Sequence, residues 1–282
     1  MDARTLVANV TSILSLPDVV VHINDLINRG EATNAELEEV ILNDPALTAK
    51  ILKYGNSPYF GFSGKISTVL NAILLIGRRE LRNLVMASAV TSTFKGISTD
   101  LVDMDRFWYH SVTCGVVARL LASNTNNRDR FFIAGLLHGV GNLILFSQFP
   151  VESARILSFS EKGEDAVIRE GEKVFGFTYA ELGAELLKQW RLPESIWRMV
   201  ECQFDPMKAG EESARMDACI LYAAFNITNH IQPCAHQKVA LEEAKLIEKL
   251  ESWGYSGLTP EMIESTITVA KLDAIEVFNA IR

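Results

Sequence analysis

The sequence predicts an all-α protein of two packed helical layers. Three observations carry that prediction. Apolar residues recur at helical spacing along almost the whole chain, while the alternation of a half-buried strand is missing. Helix-start and helix-stop residues punctuate the chain repeatedly. No Gly-rich phosphate loop of the P-loop or Rossmann type is present, so a dinucleotide-binding α/β fold is not expected.

In chain order, Leu6, Val10, Ile13 and Leu14 make the apolar stripe of a first helix that stops near Leu16-Pro17. Val19 to Asn28 form a second, closed by Arg29 and a C-cap glycine, Gly30. Thr33-Asn34-Ala35-Glu36 is a capping box that opens a helix through Leu42. Asp44 is an N-cap and Pro45 a first-turn proline for a helix over Ala46 to Tyr54. The Gly-, Ser- and Pro-rich run Asn56 to Lys65 is a loop. Ser67 is expected to cap a long helix bearing Leu70, Ile73, Leu74, Leu81, Leu84 and Val85, which Gly77 breaks in two. Lys95 to Asp100 is a linker between subdomains.

The second half opens with a helix over Asp103 to Ala122 carrying Trp108, Tyr109 and His110. Helices over Val151 to Ser160 and Glu164 to Phe175 follow the apolar run described next. Ala180 to Gln189 is a helix whose Gly183 and Ala184 permit tight packing. Pro193 starts a helix through Cys202, and Met216 to His230 is apolar and core-like. Gln237 to Trp253 carries charges at helical spacing, and Thr259-Pro260-Glu261 opens a final helix.

Phe131 to Phe146 is the most apolar run, with His138 in its middle. As a helix it is apolar nearly all round and belongs in the core. Gly135 and Gly139 share a stripe where neighbouring backbone can approach, and Asn142 shares the face of His138. The run is too short and too interrupted by Gly, His and Asn to be expected to span a bilayer.

A formal charge of −8 argues against a nucleic-acid protein, which needs a basic face. Cys114, Cys202, Cys219 and Cys234 show no Cys-x-x-Cys spacing and read as reduced thiols. The start, Met-Asp-Ala-Arg-Thr, has no basic region feeding an apolar stretch. A cytoplasmic location without membrane contact is therefore expected.

Leu16-Pro17, Asp44-Pro45-Ala46-Leu47-Thr48, Asn56-Ser57, Ile66-Ser67-Thr68-Val69, Ala72-Ile73 and Ile76-Gly77 resemble the N-terminal part of bacterial HDOD domains, the HD-related output domains of signalling proteins. The resemblance continues in Gly135-Leu136-Leu137-His138-Gly139-Val140-Gly141, where the family often has a Leu-Leu-His-Asp-Ile-Gly-like string. Gly176 to Leu187 and Trp190-Arg191-Leu192-Pro193 extend it, so that it covers roughly residues 5 to 205. It implies an N-terminal helical subdomain, 1–98, packed on a degenerate HD-like subdomain with a C-terminal helical extension, 99–282. In HD phosphohydrolases, His and Asp residues hold one or two divalent metals that activate water. By resemblance, His110 matches the first histidine and His138 that of the His-Asp pair. Gly139 takes the aspartate position and Tyr179 that of a common histidine. Cys202 and Gln203 stand where a histidine pair occurs in relatives, and no aspartate appears near Ala223 to Asn226.

Two imidazoles make a poor hydrolytic metal site, because hard divalent ions want carboxylate oxygens and catalytic zinc takes three protein ligands. Asp103, Asp105, Glu181 or Cys114 would have to supply a third. The favoured expectation is that His110 and His138 are neutral core histidines, hydrogen-bonded to each other, to Asn142, to Tyr179 or to water. No cofactor is expected; if a single divalent metal is held, His110 and His138 hold it. Arg78 and Arg82, four apart, could fork a phosphate, against the preferred reading of a solvated face beside Glu80. Phe60, Phe62, Trp108 and Tyr109 could wall an aromatic pocket, against ordinary packing. Cys114 and His110 share a face, but without a third, orienting group the thiol reads as structural.

The expected function is a non-catalytic signal-transduction module that binds a partner protein or small ligand, its input arriving in trans. The rival is a metal-dependent phosphohydrolase or phosphodiesterase with an altered site. A nucleic-acid regulator using the Arg78 and Arg82 face is disfavoured by the net acidity.

Overall fold

The computed structural model describes the chain except residues 1, 11–15, 31, 57–65, 95, 124, 126–127, 234–239 and 282. Among the described residues every regular element is helical. Two compact units result: a larger one of residues 1–14 and 94–271, and a smaller one of 15–93 and 272–282. The first helix, α1 (Ala3–Val10), groups with the larger unit rather than with the N-terminal subdomain, and Ile13 and Leu14 of its expected stripe lie outside the described residues.

The smaller unit contains α2 (Asp18–Arg29), α3 (Asn34–Leu42), α4 (Pro45–Gly55), α5 (Val69–Ile76) and α6 (Arg78–Thr93). Its boundaries follow from capping chemistry. Gly30 ends α2 in the left-handed region, φ +73°, which a side chain would resist. Thr33 and Glu36 form the expected reciprocal box: the Glu36 N–H donates to Thr33 Oγ1 at 3.2 Å and the Thr33 N–H donates to Glu36 Oε2 at 2.6 Å. Asp44 Oδ1 accepts from the Leu47 N–H at 3.0 Å to start α4. Thr68, not Ser67, caps α5, its hydroxyl accepting from the Asn71 N–H at 3.2 Å. The hydroxyl must stand at the last extended residue before the helix, and that residue is Thr68. Gly77, φ +83°, separates α5 from α6. Asn56 opens the expected loop: its amide donates to Ile66 O and accepts from the Ile66 N–H, both at 2.8 Å. Residues 57–65 of that loop, with Phe60 and Phe62, lie outside the described residues.

The larger unit continues with α7 (Met104–Leu121), α8 (Asp129–Leu137), α9 (Val140–Gln148), α10 (Pro150–Leu157), α11 (Glu164–Phe175), α12 (Tyr179–Gln189), α13 (Glu194–Glu201), α14 (Glu212–Ile231), α15 (Glu243–Ser252) and α16 (Pro260–Ile281). The last of these passes into the smaller unit after Lys271. Helix α7 is buried on nearly every side and packs against α8 and α14, while α12 packs against α9 and α13. Arg130 of α8 pairs with Asp217 of α14 at 2.8 Å.

The apolar run expected as one helix is two. It breaks at His138 and Gly139, where Gly139 leaves helical geometry at φ −99°, ψ 3°. The His138 imidazole hydrogen-bonds the Gly135 carbonyl at 2.6 Å, capping the last turn of α8 with a side chain. Because residues on both sides of the break are buried, no change of hydropathy marks it. In length and apolarity the 20-residue stretch Asp129–Gln148 would suit a membrane span, but 83% of its most apolar window is buried inside the protein.

Glycines set two crossings around this break. A Cβ on Gly135 would lie 2.6 Å from the Cys114 carbonyl oxygen, and one on Gly115 would lie 2.7 Å from that of Phe132. Helices α7 and α8 therefore touch backbone to backbone. A Cβ on Gly141 would lie 1.9 Å from Tyr179 O and 2.8 Å from Gly183 N, so α9 crosses α12 at a glycine pair. The expected small-residue role of Gly183 is met there. At Gly139 the neighbour is instead a ring edge, with Phe107 Cζ 3.3 Å from a built Cβ.

Candidate functional site

The two crossings bring His110, from the middle of α7, to His138, at the end of α8. Their ring centroids are 5.3 Å apart and the rings are tilted by 48°. Both residues are 3% exposed. Each ring is held from behind by main chain: Nδ1 of His110 lies 2.6 Å from Gln232 O, and Nδ1 of His138 lies 2.6 Å from Gly135 O. A carbonyl only accepts, so Nδ1 carries the proton in both rings and Nε2 is left with its lone pair. Burial pushes the His110 pKa down to about 4 and that of His138 to about 3, with the neighbouring His110 also opposing charge on His138. The rings are neutral. Of the partners expected for them, neither the other imidazole nor Asn142 nor Tyr179 holds Nδ1; main-chain carbonyls do.

Both rings line a cavity of about 310 Å3 in the larger unit. Gly139, Asn142 and Tyr179 line it too, so the five residues singled out from the sequence do converge. Its apolar walls are Phe107, Phe146, Leu157, Val167 and Phe225. Phe225 stacks edge-on to His138, 5.6 Å between centroids. The aromatic wall is thus not the expected set: Trp108 is buried edge-on against Phe107, 5.2 Å away, and neither it nor Tyr109 lines the cavity.

The cavity also holds groups that sequence reasoning missed. Glu164, at the first turn of α11, lines it and accepts from the Tyr179 hydroxyl at 3.2 Å. Burial pushes its carboxyl up to about 7, against the lowering effect of that hydrogen bond. Asn229 stands one turn of α14 beyond Phe225 and lines it as well. An acidic residue after Gly163 at a helix start looks like an ordinary first-turn charge, so only the tertiary structure reveals Glu164. Gln203 was compared with a ligand position but supports instead: fully buried, its amide donates to His138 O at 2.9 Å and to Val200 O at 3.1 Å.

Of the residues weighed as a third metal ligand, Asp103, Glu181 and Cys114 have other surroundings. Asp103 lines the cavity but caps α7, accepting from the Arg106 N–H at 3.1 Å. Glu181 closes a capping box with Thr178 and lies 3.5 Å from Lys208. Cys114 is buried and its thiol is pushed up to about 12, so it is no nucleophile at neutral pH. Among the described residues no three His, Cys, Asp or Glu side chains assemble into a metal-binding group. Beside the two imidazoles, position 139 is glycine and adds no donor, whereas a catalytic zinc takes three protein ligands.

Arg78 and Arg82 stand neither on a solvated face nor free for a phosphate. Arg78 donates through Nε to Asn34 Oδ1 at 2.6 Å and through Nη1 to Ala32 O. Arg82 is 8% exposed and donates to Asn28 Oδ1 at 3.2 Å. Both guanidiniums tie α6 to its neighbours within the smaller unit.

The HDOD domain family matches residues 13–206, more than half of the chain. The chain belongs to the HDOD domain family. This HDOD protein is 23% identical over 228 residues to a protein of Treponema pallidum (strain Nichols) that carries no assigned function; the match takes in 80% of the chain and 44% of that relative's length. Among solved structures, a protein of Shewanella amazonensis SB2B, provisionally named a phosphohydrolase, superimposes with a TM-score of 0.80 at 22% identity, over 98% of each chain. An HDOD domain protein of unknown function from Geobacter sulfurreducens gives 0.72 at 22% identity, over 99% of this chain and 96% of its own. A protein of Marinobacter aquaeolei VT8, provisionally named for signal transduction, gives 0.72 at 20% identity, over 94% of this chain and 59% of its own. At such identities these likenesses bear on the fold alone.

Proposed function

We propose that this HDOD protein is a non-catalytic, cytoplasmic signal-transduction module that acts by binding a partner protein or small ligand, without a resident metal. The observation that supports it best is Gly139: beside the His110–His138 pair it stands in place of the carboxylate that a hydrolytic metal would need. Water activation needs a held metal, and two nitrogen donors hold one poorly. The surrounding cavity is large enough for a small molecule.

A second reading, an HD-type metal-dependent phosphohydrolase with an altered site, is favoured by one observation, that Glu164 and Asp103 line the same cavity. Hydrolysis separates the two. Nucleotides, cyclic dinucleotides and generic phosphodiesters should stay at background rates with Mg2+, Mn2+, Fe2+ or Ni2+, and dialysed protein should carry well under one equivalent of transition metal by elemental analysis. Near-stoichiometric chelator-resistant metal, or turnover lost on His138→Ala with the fold intact, would overturn the module reading.

A further inference from the structure

We propose that the cavity takes a planar aromatic or heteroaromatic molecule, neutral or singly cationic, that presents two N–H donors on one edge to Nε2 of His110 and Nε2 of His138. The inference rests on the reading of this protein as a ligand-binding module and names the ligand's chemistry.

The direction of the hydrogen bonds carries it. Gln232 O and Gly135 O can only accept, so each ring spends its one proton on the main chain and has only an acceptor left. A phosphate or carboxylate oxygen placed there would meet lone pair with lone pair. A donor edge meets both acceptors without any change of protonation. With ring centroids 5.3 Å apart, both are within reach of one small molecule.

Charge points the same way. Of the ionisable groups on the cavity wall besides the imidazoles and Tyr179, Asp100, Asp103 and Glu164 are acidic, and only Arg106 is basic. Arg106 already donates through Nε to Pro233 O at 2.9 Å. Glu164 lines the same cavity and is a further acceptor when ionised. Phe107, Phe146 and Phe225 supply flat apolar surface for a ring, which is why a planar body suits the space better than a sugar or an extended chain.

Benzamidine and benzoate test this, because they share a shape and differ in one edge: two N–H donors against two acceptor oxygens. The protein, labelled with 15N at histidine, is titrated at pH 8 with benzamidine, benzoate and inorganic phosphate, following the Nε2 resonances of the two Nδ1–H tautomers. Benzamidine should shift both saturably, with a Kd on the order of 1 mM for so small a ligand. Benzoate and phosphate should leave them in place. Glu164→Gln should weaken benzamidine about tenfold, since a charge-assisted partner is lost, and should leave benzoate without effect. Saturable shifts with benzoate or phosphate, or none with benzamidine, would overturn the proposal on the unaltered protein, whatever the variant does. Silence towards benzamidine in a protein that remains inactive with metals rejects the ligand class alone. Metal-dependent turnover alongside benzamidine binding rejects the module reading and keeps the ligand chemistry.

Discussion

Gly139 is where the residue scale decides most. Its backbone is at φ −99°, open to any residue, so glycine is not demanded by strain. Its surroundings are the constraint: a Cβ would press on the buried Phe107 ring at 3.3 Å. Gly139→Asp, which restores a His-Asp pair, should therefore bring neither metal binding nor activity. It should cost about 1–3 kcal/mol, from overpacking and a poorly satisfied carboxyl. Thermal melts with and without Mn2+ measure this; a variant as stable as wild type, stabilised further by Mn2+ and active on a phosphodiester, would show a pocket one residue from working.

Among the elements, the α9–α12 crossing is the tightest. Helix α9 begins at the site and α12 brings Tyr179, and the two meet through Gly141 and Gly183 with no room for a methyl group. Gly141→Ala would drive a Cβ to 1.9 Å from the Tyr179 carbonyl, which is backbone and cannot rotate away. The helices must separate, so a loss of about 3 kcal/mol is expected, near the top of the range for single substitutions. Gly171→Ala, where a Cβ meets nothing within 4 Å, serves as the control and should be neutral or slightly stabilising through helix propensity. Urea midpoints of the two variants check the contrast; equal midpoints would mean that the crossing is looser than it stands.

For the whole molecule, buried titratable groups set the response to acid. The unfolded chain binds protons at His110 and His138 below the ordinary imidazole value of 6.5, while the folded state refuses them until about 4 and 3. Their contribution therefore removes stability as pH falls below 6.5. Glu164 and Asp217 act oppositely. Burial raises them to about 7 and about 6, so the folded state keeps protons that the unfolded chain releases, and stability rises as pH falls towards their ordinary values of 4.5 and 3.8. The two effects offset each other between about pH 6.5 and 4.5. Below that Glu164 is spent, Asp217 still acts down to about 3.8, His110 stops contributing near 4, and His138 alone continues to about 3, so the net loss is at most about 1.4 kcal/mol per pH unit. Equilibrium unfolding should show a shallow plateau followed by a gradual loss between pH 4.5 and 3. Glu164→Gln should raise stability at pH 7 by an amount on the order of 1–3 kcal/mol, a gain that vanishes by pH 4.5. A gain that grows on acidification would contradict a buried, protonated Glu164.

Local rules were enough for the helices. Thr33 with Glu36, Asp44 with Pro45, Gly30 and Gly77 act over one turn, and their effect does not depend on what packs against them. The convergence of His110, His138, Gly139 and Tyr179 was also legible, through the family resemblance, and that of Asn142 through its place four residues after His138. Three things were not. The break at His138 leaves no mark in hydropathy because both sides are buried. Glu164 and Asn229 reach the cavity from helices whose sequences show only surface and core patterning. The protonation pattern of the two imidazoles depends on carbonyls at 135 and 232, the latter 122 positions from its ring. Sequence periodicity reports which face of a helix is buried. Which polar atom meets which across that buried space is set by helix crossings, and here those crossings are set by glycines whose partners, Cys114 with Gly135 and Tyr179 with Gly141, lie far apart in the chain.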